Sequence, residues 1–154
     1  MLKATIIDKM NSNKAITLKQ TAIAEAMLLN LSDKVSKTEF NEAWYSEKSY
    51  NKHVVKRTKL GEIIDAADYE AKTRDVIANA QKLIVVTPTK GMISGKLQII
   101  SNGWIVLIGE EGKIITSYPF DENKLSFEQR HIDNGDIVYE YFISSTIKKI
   151  LNGI

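Results

Sequence analysis

The sequence predicts an α+β fold in which amino-terminal helices pack on an antiparallel sheet of four to five strands. Apolar residues recur with helical spacing through the first half of the 154-residue chain. In the second half, β-branched runs separated by turn signals replace that pattern. Helices followed by consecutive strands are typical of α+β domains, and a hydrophobic fraction of 44% is too high for a disordered chain.

Periodicity and capping signals predict three helices before the sheet. Residues 17–31 place apolar side chains at three- and four-residue spacing and open with a capping box. A second capping box begins residues 36–44, and the helical pattern then weakens over 46–50, where we expect a loop. The third helix, residues 65–80, starts with two aspartates, which are favourable at a helix N-terminus.

The rest of the chain predicts five strands and a closing helix. The strand segments are rich in β-branched residues, and they are 83–86, 96–100, 104–108, 113–118 and 137–143. A Gly-bounded loop of four residues joins the third and fourth segments, which predicts a β-hairpin. Residues 144–151 form a short helix at the end of the chain.

The composition excludes several classes of protein. The chain has no cysteine, so it holds neither a disulfide nor a thiolate metal site. Its two histidines, His53 and His131, are too few for a typical zinc centre. No apolar run approaches the ~20 residues that span a bilayer, and no common nucleotide- or metal-binding motif is present. We therefore expect no metal, no cofactor and no membrane partner.

A basic run around one histidine is the chief chemical candidate. Five cations and His53 lie between residues 48 and 59 without an acid, although the net charge of the whole chain is only +2. An imidazole exchanges protons near neutral pH. The neighbouring Lys56, Arg57 and Lys59 would lower its pKa and stabilise a phosphorane-like transition state. The alternatives are a solvated basic surface and an ordinary surface histidine.

Hydroxyl residues near the end of the hairpin form a second candidate. Strand alternation sends Thr116 and Tyr118 to one face of the sheet and Ser117 to the other. In a cleft, the first two hydroxyls would bind a phosphate or assist proton transfer, whereas the alternative is an ordinary strand end. Lys96 offers a further cation and His131 a further imidazole, with solvent exposure as the alternative for both.

The order of these segments resembles a known nuclease superfamily. A His-bearing basic helix over 52–63 precedes an acidic-capped helix that ends at 76–80, and the strand segments 103–108 and 112–119 follow. Over roughly residues 50–145 this order is similar to that of the barnase, EndoU, colicin and RelE-like (BECR) nucleases. It is closest to the branch found in phage proteins and bacterial polymorphic toxins, including contact-dependent growth inhibition toxins.

The resemblance implies a ribonuclease that works without metal. The ribose 2′-hydroxyl would be the nucleophile, and the product would end in a 2′,3′-cyclic phosphate. His53 matches the helix histidine of the superfamily and would act as general acid or base. Arg57 or Lys59 matches the basic partner that would hold the phosphate, and Thr116 and Tyr118 match the hydroxyl pair of the strand motif.

Further residues are expected to support such a site. The residues expected to bind the substrate are Lys52, Lys56, Lys96 and Ser117. Many EndoU relatives carry a second histidine close to the first, and here that place is filled by a cation. Arg57, Lys59 and His131 are therefore the candidates for the second proton carrier.

The toxin-like relatives also imply partners and a location. Such domains form the carboxyl-terminal part of a larger secreted protein, act in the cytoplasm of a target cell and are neutralised by a cognate immunity protein. The substrate would be RNA, with tRNA as a candidate. Residues 49–154 would form the nuclease domain and residues 1–48 a helical entry or linker segment. A cytoplasmic phage-encoded protein is the alternative location.

Two other functions fit the same sequence. One is a non-catalytic RNA-binding or antitoxin-like module whose basic run contacts only the phosphate backbone. The other is a phage structural or interaction protein that oligomerises through residues 17–45. Replacement of His53 separates the first from a ribonuclease, and the oligomeric state separates the second.

Overall fold

The computed structural model describes residues 4–6, 18–87, 96–109, 111–120, 133, 137–141, 143 and 145–152. Its helices are α1 (Leu18–Lys37), a 3₁₀ helix (Phe40–Ala43), α2 (Glu47–Lys59), α3 (Ala66–Ala78) and α4 (Ser145–Leu151). Its strands are β1 (Ala4–Ile6), β2 (Lys82–Thr87), β3 (Lys96–Ser101), β4 (Trp104–Ile108), β5 (Ile114–Pro119) and β6 (Ile137–Tyr141).

The strands form one sheet in the order β1-β6-β2-β3-β4-β5, and every neighbouring pair is antiparallel. The predicted α+β class is confirmed. The sheet has six strands because the three-residue strand β1 adds to β6 at one edge, a segment too short to be recognised from its pattern. At the other edge lies β5, which pairs with β4 in the predicted hairpin.

Helices cover one face of this sheet with a shared hydrophobic core. Buried apolar residues come from α1, the 3₁₀ helix, α3, α4 and the central strands, among them Leu28, Phe40, Ile77, Leu97, Val106 and Ile147. Residues on both sides of the expected boundary at 48 and 49 contribute to this core. Of the helices that the structure describes, none is long and apolar enough to cross a membrane.

The loop expected over 46–50 is wrong, because α2 begins there. The Ser46 hydroxyl accepts a 3.0 Å hydrogen bond from the Ser49 backbone N–H, and Ser46 itself has extended backbone angles. This is the geometry of an N-cap, which satisfies a donor that the first helical turn leaves free. The helix expected over 36–44 is also different: α1 continues to Lys37, and only one 3₁₀ turn follows.

The turn of the β4–β5 hairpin rests against α1. Gly112 has a φ of +74°, and a Cβ added there would lie 2.6 Å from both the Leu31 backbone nitrogen and the Met27 carbonyl oxygen. Glycine alone fits both the left-handed angle and the close backbone approach. The glycine therefore sets how near the hairpin, and with it β5, approaches the helical layer.

Candidate functional site

Helix α2 lies along the edge strand β5 rather than on the sheet face. Trp44 forms a parallel bridge with Ile114, and the Tyr45 N–H donates to the Ile114 carbonyl, so the chain enters α2 beside the start of β5. The last turn of α2 brings Arg57 to Tyr118 near the other end of the strand. None of the residues of α2 is fully buried, and His53 and Arg57 are half-buried on the side that faces the protein.

His53 sits against an aromatic ring and is shielded from solvent on one side. Its ring centroid lies 5.6 Å from that of Trp44, and its Nδ1 is buried without a hydrogen-bond partner. Burial lowers the pKa of His53, and the positive charges of Arg57, Lys56 and Lys52 lower it further, while the nearby Ile115 backbone partly opposes the shift. The imidazole is therefore neutral at neutral pH, as a general base must be.

Arg57, expected to hold a phosphate, is already engaged by a carboxylate. Its Nη1 lies 3.3 Å and 3.1 Å from the two carboxylate oxygens of Glu62, and its side chain is only 12% exposed. The guanidinium carbon also lies 5.5 Å from the centroid of the Tyr118 ring, within cation–π range. The Glu62 carboxylate thus balances the charge of Arg57 and fixes it over Tyr118.

A helix-ending turn explains how Glu62 reaches Arg57. The Glu62 N–H bonds the Arg57 carbonyl and the Gly61 N–H bonds the Thr58 carbonyl, with Gly61 at a φ of +71°. These two bonds define a Schellman motif, whose left-handed position favours glycine. The turn brings Glu62 back beside Arg57, the residue whose carbonyl begins the motif. Sequence reasoning missed Glu62, although Gly61 after a helical run was a usable signal.

In the part of the chain that the structure describes, six buried polar side-chain atoms have no hydrogen-bond partner; three belong to Gln98 and Ser101 on β3, and the other three lie at this corner. Those at the corner are the Nδ1 of His53, the Nε of Arg57 and the Nε1 of Trp44. Trp44 contacts the His53 ring, and Arg57 follows His53 by one helical turn. Buried polar groups are normally hydrogen-bonded, so a cluster of exceptions marks a place that is not arranged for stability alone.

Ser117, expected to bind the substrate, packs into the interior instead. It is fully buried on the helical face, where its Oγ lies 2.8 Å from the Thr73 hydroxyl and accepts a 2.7 Å bond from the Trp104 Nε1. Its carbonyl accepts a 2.5 Å bond from the Tyr69 hydroxyl. Burial raises the pKa of Tyr69 to about 12, so this phenol remains a donor at ordinary pH. Ser117 is therefore a structural residue, because its hydroxyl is engaged and inaccessible.

The burial of Ser117 places Thr116 and Tyr118 on the opposite sheet face, as strand alternation predicts. Both are half-buried, and Tyr118 is in contact with Arg57 through the cation–π geometry above. Thr116 is in register with Leu107, one strand inward. The two hydroxyl residues therefore share a face next to the corner of α2.

The predicted lysines do not join this corner. Lys52, Lys56 and Lys59 are exposed, on the side of α2 that faces away from β5. Lys96 is exposed at the end of β3 near the Leu97–Ile108 pair, whereas Tyr118 lies toward the other end of the sheet, opposite Ile105. His131 lies outside the described residues.

No group of three or more potential metal-ligating side chains is found among the residues that the structure describes. The corner brings together a half-buried neutral imidazole, a fixed guanidinium and the Tyr118 ring of the adjacent strand, on the sheet face that Thr116 shares. Such a set can exchange a proton and stabilise negative charge.

Comparison with known proteins relates most of the chain to one family. No curated protein and no solved structure matches it. A family model described as "Uncharacterised protein aq_aa01" matches residues 34–152, a range that contains α2, α3 and the strands β2 to β6. Because that match covers more than half of the sequence, the chain belongs to the aq_aa01 family.

Proposed function

We propose that this protein is a metal-independent endoribonuclease that cleaves RNA by attack of the ribose 2′-hydroxyl, as the resemblance to the BECR nucleases implies. The single observation that carries the proposal is the state of His53. Its half-buried ring lies beside the edge strand, with a lowered pKa and with Arg57 one helical turn away. A neutral imidazole next to a fixed cation suits proton transfer at an anionic substrate.

The chemistry requires two proton transfers. His53 would take the proton of the 2′-hydroxyl through Nε2, because its Nδ1 is buried. The 2′ oxygen then bonds to phosphorus, the bond from phosphorus to the 5′ oxygen breaks, and that oxygen leaves with a proton from a second group. The product is a 2′,3′-cyclic phosphate and a 5′-hydroxyl.

The positions of Arg57 and Lys59 reduce the number of candidates for the second proton carrier. Lys59 is exposed on the outer side of α2, and Arg57 is paired with Glu62, a role that suits charge stabilisation rather than proton donation. An arginine stays protonated in proteins, which also makes it a poor acid. Of the three candidates, His131 is the one whose chemistry fits, and it lies outside the described residues.

The biological setting proposed from the resemblance is that of a toxin. In that setting the chain is the carboxyl-terminal part of a larger secreted protein, acts on RNA in the cytoplasm of a target cell and is neutralised by an immunity protein. The BECR assignment and the toxin role are supported by the order of segments from 52 to 119.

A non-catalytic RNA-binding module is the second candidate. It is favoured by the exposure of the lysines and by the pairing of Arg57 with Glu62. Such a module would bind RNA through the outer side of α2 and would leave it intact.

The experiment is incubation of total bacterial RNA with the protein in EDTA, followed by a denaturing gel. The wild type should give discrete fragments that end in cyclic phosphate, and His53→Ala should slow cleavage by about 10²–10⁴-fold, the usual contribution of a positioned acid or base. Thr58→Ala, an exposed change on the same helix whose hydroxyl donates to the Val54 carbonyl one turn back, is the matched control. His131→Ala tests the second proton carrier. Intact RNA with the wild type at all salt concentrations would refute the ribonuclease and favour the binding module.

A further inference from the structure

The outer side of α2 carries a row of cations that the corner around His53 does not use. Lys48, Lys52, Lys56 and Lys59 follow one another at intervals of four, four and three residues, which places them on one helix face. All four are exposed. We call them the lysine row.

Within the described residues, no carboxylate forms an ion pair with the lysine row. Glu47 is the one acid within α2, and Glu62 just beyond it is paired with Arg57. Lys37 and Lys72, by contrast, are each paired with an aspartate one turn away on their own helices.

The spacing of the row suits a polyanion. A helix rises 1.5 Å per residue, so the lysines stand about 6 Å apart along about 16 Å of helix. That spacing is comparable with the distance between successive phosphates of a nucleotide strand. A rigid and straight row of this kind complements a backbone whose phosphates are themselves held in a regular helical array.

The residues between the lysines indicate which form of RNA this face would bind. Asn51 and Val55 are exposed on the same side of α2, and between Lys48 and Lys59 this side carries no aromatic residue, although the exposed Tyr45 ring precedes the helix at one end of the row. Binding of single strands relies on stacking of bases on aromatic side chains. Contacts to phosphates fix the position of a nucleic acid without reading its sequence.

We propose that the lysine row is a docking site for the sugar-phosphate backbone of a base-paired RNA stem, separate from the corner where His53 would act. The proposal rests on the proposed RNA substrate and names its class as folded RNA. The row and His53 lie on different sides of a helix about 10 Å wide. If the base-paired stem is held on the outer side of α2, an adjoining single-stranded part of the same RNA, rather than the stem, would lie at β5.

The test measures binding without cleavage. The probe is a fluorescent hairpin made of 2′-O-methyl RNA, which lacks the attacking hydroxyl, and its affinity for the full chain is followed by anisotropy over a range of salt concentrations. The row variant is Lys52→Gln with Lys56→Gln and Lys59→Gln. The matched control removes the same three charges elsewhere, through Lys37→Gln, Lys148→Gln and Lys149→Gln, all exposed. Glutamine has a helix propensity close to that of lysine, so both variants should fold.

The expected result is a change in salt dependence. Each phosphate contact contributes about 0.7–0.9 to the slope of log affinity against log salt, so the row variant should lose about 2–3 from the slope. The control should keep the wild-type slope. An unstructured 2′-O-methyl strand of the same length should bind the wild type more weakly than the hairpin does.

Three results would overturn the docking site. They are an unchanged slope in the row variant, an equal loss in the control, and equal binding of the unstructured strand. The first would leave the lysine row as a surface for an acidic protein. Because the readout needs no cleavage, a chain that binds the hairpin through the row but cuts no RNA refutes the ribonuclease and leaves the docking site standing.

Discussion

The two sides of β5 differ in how their polar groups are satisfied. On the helical side, the Ser117 hydroxyl and carbonyl receive bonds from Trp104 and Tyr69, and Thr73 completes the set. Along the outer edge of the same strand, the Nδ1 of His53 and the Nε of Arg57 are buried without partners. Tyr69 takes part in the first set and also interacts with Arg57 of the second, so the two sets of polar groups are neighbours.

This difference indicates that the helical side of β5 serves stability and that the corner around His53 serves function. A buried polar group without a partner costs about 1–3 kcal/mol, so a fold that places such groups together gives up stability there. The network around Ser117 avoids that cost and ties α3 to the edge strand. We therefore expect changes on the helical side to reduce the free energy of unfolding, and changes at the corner to reduce cleavage.

The largest predicted effect within this comparison is that of Tyr69→Phe. The change removes the hydroxyl that donates to the Ser117 carbonyl and leaves a buried acceptor unpaired. The free energy of unfolding should fall by about 1–3 kcal/mol, measured by urea denaturation at pH 7.5. Tyr45→Phe is the control because that ring is 71% exposed. Equal stability of the two variants would show that the network does not hold α3 to β5.

Five of the six strands that the structure describes, and the pairing of β4 with β5, were predictable from the sequence because their signals are local, whereas the pairing of β6 with β2 was not predicted. β-branched runs and the Gly-bounded loop fix β4 and β5 as neighbours, and alternation fixes the face of Ser117. The start of α2 was missed, because the Ser46 N-cap follows an aromatic stretch without helical periodicity. Strand β1 was missed because a strand of three residues depends on β6, far along the chain.

The candidate site was predictable only in part. His53 and the hydroxyl residues were recognised by their chemistry, and the lowered pKa of His53 was expected from its cationic neighbours, although burial is its main cause. The partners of these residues depend on tertiary packing. Tyr69 reaches Ser117 across 48 positions of sequence, and helix geometry leaves Lys52 and Lys59 exposed while His53 is half-buried. The order of charged residues along the sequence does not show these tertiary contacts or which side chains are exposed.

A smaller effect is predicted for the pH dependence of stability. Unfolded His53 takes up a proton near pH 6.5, whereas the folded ring, with its lowered pKa, does so only at lower pH. The contribution of His53 is therefore fully present above pH 6.5, and the free energy of unfolding falls as the pH drops below that value. His53→Gln should flatten this part of the curve, measured by urea denaturation from pH 8 to pH 5. Since the other titrating groups are common to both proteins, parallel curves would contradict the burial of the ring.

The smallest predicted effect is on the pKa of His53, and it separates the contribution of charge from that of burial. The positive charge of Arg57 is one of several causes that lower the pKa of His53, and burial is the largest. Arg57→Gln should therefore raise that pKa while leaving it below the ordinary value, followed by NMR titration of the imidazole. Arg74→Gln removes an arginine that pairs with Glu70 on α3, and it should leave the titration unchanged. An unchanged His53 pKa in Arg57→Gln would contradict this prediction. It would show that Glu62 neutralises the guanidinium completely. The corner itself would then offer an anionic substrate no net positive charge, and only the exposed lysines outside it would attract the substrate.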